Sequence, residues 1–163
     1  MDILKTRLAL ALAILISSGS AWAESGMAKG PFSCHGVGDV TKMNADLSQW
    51  VGKFWCTTYA NSGKGPFHHG AWTCTGATEI RSGNMAAGGG YCTITHPSGD
   101  TIEVRWDVDR PGPFTDFTTK AHCISGSGKY SGIQCHYIGK WNPGAVGPDG
   151  LLVGYIEAEY TLP

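Results

Sequence analysis

The sequence is short of what helices and membrane spans need. After residue 23, leucine occurs only at Leu47, Leu151, Leu152 and Leu162. No long stretch combines a 3.6-residue apolar period with good helix formers, which argues against a helical fold. The longest apolar run, Leu8 to Ile16, is nine residues, against roughly 20 for a helix that crosses a bilayer. A surplus of positive charge is also missing. Twelve Lys and Arg face 13 Asp and Glu, so little is left over to neutralise phosphates, and no nucleic-acid partner is expected. Chemistry-bearing motifs are scarce too. There is no C-x-x-C, no H-E-x-x-H and no G-x-S-x-G. Gly126-Ser127-Gly128-Lys129-Tyr130-Ser131-Gly132 lacks the P-loop spacing and reads as a glycine-rich hairpin turn. Glycine is abundant, at 24 residues, but not on every third position, which excludes collagen.

The first 23 residues carry a secretory pattern. Lys5 and Arg7 precede the apolar run, Ser17 to Ser20 is small and polar, and Ala21-Trp22-Ala23 fits an A-x-A cleavage site. Residues 1–23 are therefore expected to be a signal peptide, with a mature chain of 163 − 23 = 140 residues forming one domain over 24–163. The protein is expected in the periplasm or outside the cell.

What remains has strand composition. Thr, Tyr, Trp and Ile recur in short runs bounded by glycine and proline turns. Residues 24–45 read as a loose lead-in, and Asp46 to Val51 as one helical turn. Strands are predicted near 52–60, 67–80, 88–96, 101–109, 115–124, 133–141 and 151–162. Turns are predicted at 61–66, 81–84, 97–100, 110–113, 125–128 and 142–144. The clearest alternation places Ile102, Val104, Trp106 and Val108 on one face and Thr101, Glu103, Arg105 and Asp107 on the other. The fold class is all-β: a single antiparallel meander which, with a strand from the lead-in, closes to a roughly eight-stranded barrel.

Six cysteines follow the signal: Cys34, Cys56, Cys74, Cys92, Cys123 and Cys135. An even count behind a signal peptide points to three disulfides. Residues equidistant from a hairpin turn lie opposite each other. Cys123 and Cys135 are centred on one turn, Cys74 and Cys92 on another, Cys56 and Cys74 on a third. The spacing favours Cys123–Cys135, then Cys74–Cys92 with Cys34–Cys56. Exchange of the last two for Cys56–Cys74 with Cys34–Cys92 stays open. The neighbours Cys34-His35, His122-Cys123 and Cys135-His136 invite a zinc reading. Adjacent strand residues point to opposite faces, so a Cys-ligated metal is not expected.

Candidate site residues follow from side-chain type. His96 sits at a strand end; Glu157 and Glu159 lie on a mixed face. Any of the three turned into a barrel could act as acid or base. The adjacent His68 and His69 carry weaker catalytic potential. Trp55, Trp72, Trp106 and Trp141 fall on or beside different strands, either filling a solid core or lining an apolar pocket. No cofactor or metal is expected.

Gly126 to Ile133 and the terminal Glu159-Tyr160-Thr161-Leu162-Pro163 resemble the G-x-G-K-[FY]-x-G-I segment and ending of allene oxide cyclase-like and dirigent-like barrels. Gly90 to Asp100 is similar to a strand and turn of small exported bacterial proteins of that kind. The resemblance covers roughly residues 85–162. It implies an eight-stranded barrel with a hydrophobic cavity, often trimeric. The plant members cyclise an epoxide or steer radical coupling without a cofactor, but none of their catalytic positions matches a residue here. Two functions therefore stand side by side. One is binding of a small apolar or aromatic ligand, or of a protein partner; the other is cofactor-free isomerisation or cyclisation in the cavity.

Overall fold

A computed structural model describes residues 23–113, 116–142 and 150–163. Most of the expected signal segment, and the predicted turn at 142–144 beyond Asn142, lie outside the described residues. The strands are β1 (Glu24–Lys42), β2 (Leu47–Thr58), β3 (Gly70–Arg81), β4 (Asn84–Thr95), β5 (Thr101–Arg110), β6 (Gly112–Pro113), β7 (Phe117–Gly126), β8 (Gln134–Trp141) and β9 (Gly150–Leu162). All pairings are antiparallel. Long strands adjacent in sequence pair with one another, and β1 pairs with β9, so eight strands close on themselves. The two-residue β6 adds to the start of β4. Among the described residues, closure leaves no long edge strand unpaired.

Two expectations need correction. The lead-in is the longest strand, β1, at 19 residues. It buries Ala28, Gly30, Phe32, Cys34 and Gly36 alternately, a strict period of two that the glycines disguise as turn punctuation. Pro31 is tolerated because its carbonyl, and hence the side lacking an N–H, faces residue 59, just past the end of the β1–β2 ladder. The helical turn at 46–51 is absent. Asn44 Oδ1 accepts the N–H groups of Asp46 and Leu47, both at 2.9 Å, which makes a hairpin corner and starts β2 at Leu47. At 81–84 the turn chemistry holds. Ser82 and Gly83, at φ 48° and 80°, give the two positive-φ residues of a tight hairpin at the predicted 81–84 turn.

The three disulfides are Cys34–Cys56, Cys74–Cys92 and Cys123–Cys135. The first two join residues directly opposite in the β1–β2 and β3–β4 registers and lie in the barrel core with Phe54, Trp72 and Ile94.

The two ends of the barrel differ. One is plugged by the 59–69 connection, where Pro66 and Phe67 are fully buried. Thr58 Oγ1 donates to the Phe67 carbonyl at 2.6 Å and accepts from Trp72 Nε1 at 3.0 Å. Phe67 packs against Trp72 and Tyr137, so the plug is held by both stacking and hydrogen bonds. The other end carries the β1–β2 corner, the β3–β4 hairpin and β6.

Glycine has a use besides turns. Gly38, Gly52, Gly76 and Gly90 form one row across β1 to β4. A side chain at Gly52 would overlap the Trp50 ring, and one at Gly76 would overlap the Trp106 ring. The row is a floor on which two indoles lie, because nothing larger than hydrogen fits beneath them.

Candidate functional site

The inward residues of the closed sheet converge on the barrel interior. Its lining includes Phe32, Phe54, Trp72, Trp106, Tyr137, Trp141 and the two inner disulfides. The rings interlock: Phe32 meets Trp141 edge-on at 4.7 Å and Phe54 meets Trp106 at 5.7 Å. The remaining cavity is only about 30 Å³, enough for a single water. Of the two roles open to the tryptophans, filling the core dominates in this state.

Among the described residues, no carboxylate, lysine, arginine or histidine lines that cavity. The Tyr137 hydroxyl is the one titratable group among the described lining residues, and burial pushes its pKa well above the usual range. A wall of this kind holds an apolar group but offers nothing that gains or loses a proton near neutral pH.

The candidate residues fall in different places. Trp72, Trp106 and Trp141 line the interior. Trp55 points outward and is 44% exposed, so it belongs to the outer face. Glu157 is also outside, bridging Lys29 at 3.2 Å and Lys140 at 2.8 Å. Hydrogen bonds from Lys140 and then Lys29 hold its carboxyl below the ordinary range, the reverse of what a catalytic acid needs. Glu159 is exposed on the same face. His96 is buried, but at the plugged end, with Nδ1 3.1 Å from the Tyr130 hydroxyl. Burial lowers its pKa, the Lys129 charge acts the same way, and the Pro66 backbone and Asp100 oppose both. The three acid–base candidates are therefore not assembled into one site.

The His96 shift has a stability consequence. Its folded pKa is depressed, so the unfolded chain binds the proton more readily and stability is lost as pH falls below the unfolded value of about 6.5. The urea midpoint should drop between about pH 7 and pH 5, and His96→Asn should flatten that slope. An equal slope in the variant would assign the acid sensitivity elsewhere.

Sequence patterning missed the features that most invite a ligand. Trp50 Nε1, Thr78 Oγ1 and Trp106 Nε1 are buried without a hydrogen-bond partner. Trp50 and Thr78 are directly opposite in the β2–β3 register. Trp106 lies on Gly76, two residues before Thr78 on the same face. By contrast, Trp72 Nε1 is bonded to Thr58 and Trp141 Nε1 to Thr119, the latter at 2.9 Å. Buried donors without partners are rare, and each costs about 1–3 kcal/mol. The signal available in sequence was the inward Trp–Gly alternation of β2, masked because Gly52 reads as a break.

No family model matches the sequence, and no curated protein matches it. Solved structures do. A pterocarpan synthase dirigent protein aligns with a TM-score of 0.50 at 10% identity, over 86% of this chain and 87% of its own. A second pterocarpan synthase dirigent protein aligns at 0.43 and 10% identity, over 84% of this chain and 95% of its own. The fold expected from the glycine-bounded segments, an eight-stranded barrel of the dirigent kind, is the fold observed.

Proposed function

We propose that this chain is an exported barrel that binds a small aromatic ligand bearing an acceptor oxygen, and that it does not transform that ligand. The observation that carries this reading is the set of unpartnered polar atoms on Trp50, Thr78 and Trp106, of which Trp106 lines an aromatic interior without acid–base groups among the described residues. Two indole N–H groups ask for acceptors, and the hydroxyl can give or take a hydrogen bond. The closed packing describes the unliganded state. A lining ring must turn to admit a ligand, and satisfying the buried donors offsets part of that cost. Export is supported by the residue 1–23 pattern and by three disulfides. The likeness to proteins named as pterocarpan synthase dirigent proteins keeps cyclisation as the rival reading. That reading finds no proton-moving group among the described residues of the interior.

Titration of the mature protein with 2-naphthol, followed by intrinsic tryptophan fluorescence, tests the proposal. Saturable binding is expected, with the ligand recovered unchanged. Trp106→Phe keeps a ring but removes the donor, and should weaken binding about tenfold, the worth of one buried hydrogen bond. Conversion of the ligand, or equal affinity in the variant, would reject the reading.

A further inference from the structure

The Cys123–Cys135 disulfide does more than staple a hairpin. Each cysteine has a histidine beside it on the side away from the turn, in the order His122-Cys123 and Cys135-His136. The β7–β8 register places His122 directly opposite His136. Because strand neighbours alternate, the imidazoles point out on the face opposite the largely buried disulfide. The next strand continues the row, since His136 is opposite Glu159 in β9 and Glu159 is opposite Met27 in β1. Four strands thus present imidazole, imidazole, carboxylate and thioether in a line on the outer surface.

We propose that His122, His136 and Glu159 form a surface site for a divalent transition ion of the zinc or copper(II) kind. Directly opposed strand residues have Cβ atoms about 4.5–5.5 Å apart, the spacing from which two imidazoles can share one ion. The ring centroids of His122 and His136 are 6.4 Å apart and tilted by 36°, so the rings are close without being stacked. Neither ring, nor the Glu159 carboxylate, has a hydrogen bond or ion pair in the described structure. Glu157, two residues away, is committed to two lysines. Lys120, which borders the same shallow depression, is turned to Asp109 at 3.5 Å.

As the side chains stand, no three donors among the described residues converge on one point. A tetrahedral ion needs its two nitrogens roughly 3.3 Å apart. All three side chains are exposed, so rotation about their own torsions can gather them without moving the sheet. The backbone is held by the disulfide, so the ion does not have to order the hairpin. Imidazole with one carboxylate suits zinc and copper(II) and discriminates against magnesium, which prefers all-oxygen shells. By the usual order of divalent affinities copper(II) binds the more tightly. Met27 lies beyond Glu159 and is not required for either ion.

The test uses the mature, oxidised chain and zinc chloride, with histidine ring resonances followed by NMR. The His122 and His136 ring signals should move together and saturate at one ion per chain, while magnesium chloride moves neither. His122→Asn or His136→Asn should weaken zinc binding by about tenfold or more, with the far-UV spectrum unchanged. Glu159→Gln should have a smaller effect. Zinc that shifts only His68 and His69, shifts none of the histidines, or binds the His122→Asn protein equally well would overturn the site. The wild-type resonances decide the matter even if a variant folds poorly.

Discussion

Removal of the Cys34–Cys56 bridge, as Cys34→Ala with Cys56→Ala, should lower stability by about 2–5 kcal/mol. That is a large part of the roughly 5–15 kcal/mol that holds a domain of this size together. The bridge sits inside the barrel, with Cys34 2% and Cys56 8% exposed, and it ties β2 to the strand that closes the sheet against β9. Its loss leaves a void in a tightly packed interior as well as freeing the unfolded chain. The second inner bridge, Cys74–Cys92, is as deeply buried, so full reduction should unfold the protein. Urea unfolding with and without reductant reads both effects. A fully reduced chain that keeps its native near-ultraviolet spectrum would show that core packing alone suffices. The outer pair, Cys123–Cys135, is less enclosed, since Cys123 is half-buried, and it should be the first to be reduced.

Gly76→Val is the second large effect. The new side chain would occupy the space of the Trp106 ring and approach the Gly89 carbonyl. Overpacking of a filled core costs about 1–3 kcal/mol and sometimes more, and this site has little room to relax because the cavity beside it is only about 30 Å³. A destabilisation of about 3 kcal/mol is expected by urea unfolding. Trp106→Leu should destabilise on its own account by emptying the site, yet the double variant should be less damaged than the sum of the two. The coupling between residues in direct contact is about 0.5–3 kcal/mol. Strict additivity would mean that Gly76 and Trp106 do not share the space, and the glycine floor would have to be given up.

Much of this structure was legible because a barrel repeats one simple rule. The alternation of Ile102, Val104 and Trp106 gave β5 directly. Turn-centred cysteine spacing gave Cys74–Cys92, which the register places opposite each other, and left Cys34 for Cys56 only by elimination. Glycine was the weak point. In β1 and β2 it reads locally as a breaker, but its role depends on an aromatic ring, which for Gly38 and Gly76 comes from another strand. Gly38 and Gly52 lie under Trp50, and Gly76 lies under Trp106 across two strand pairings. Local propensity carries no information about such a partner. The site was legible only in part for the same reason. Tryptophan could be named as core or pocket, but which indole N–H groups lack a partner depends on where Thr58 and Thr119 fall in space.

That difference among the tryptophans gives the most direct test of the binding reading. The indole N–H resonances of the mature protein should be followed by NMR as 2-naphthol is added. The Trp50 and Trp106 signals should shift together and saturate. Trp72 and Trp141, already bonded to threonine hydroxyls, should move little, and the ligand should be recovered unchanged. A shift confined to the exposed Trp55, no saturable shift at Trp50 and Trp106, or conversion of the ligand would contradict it.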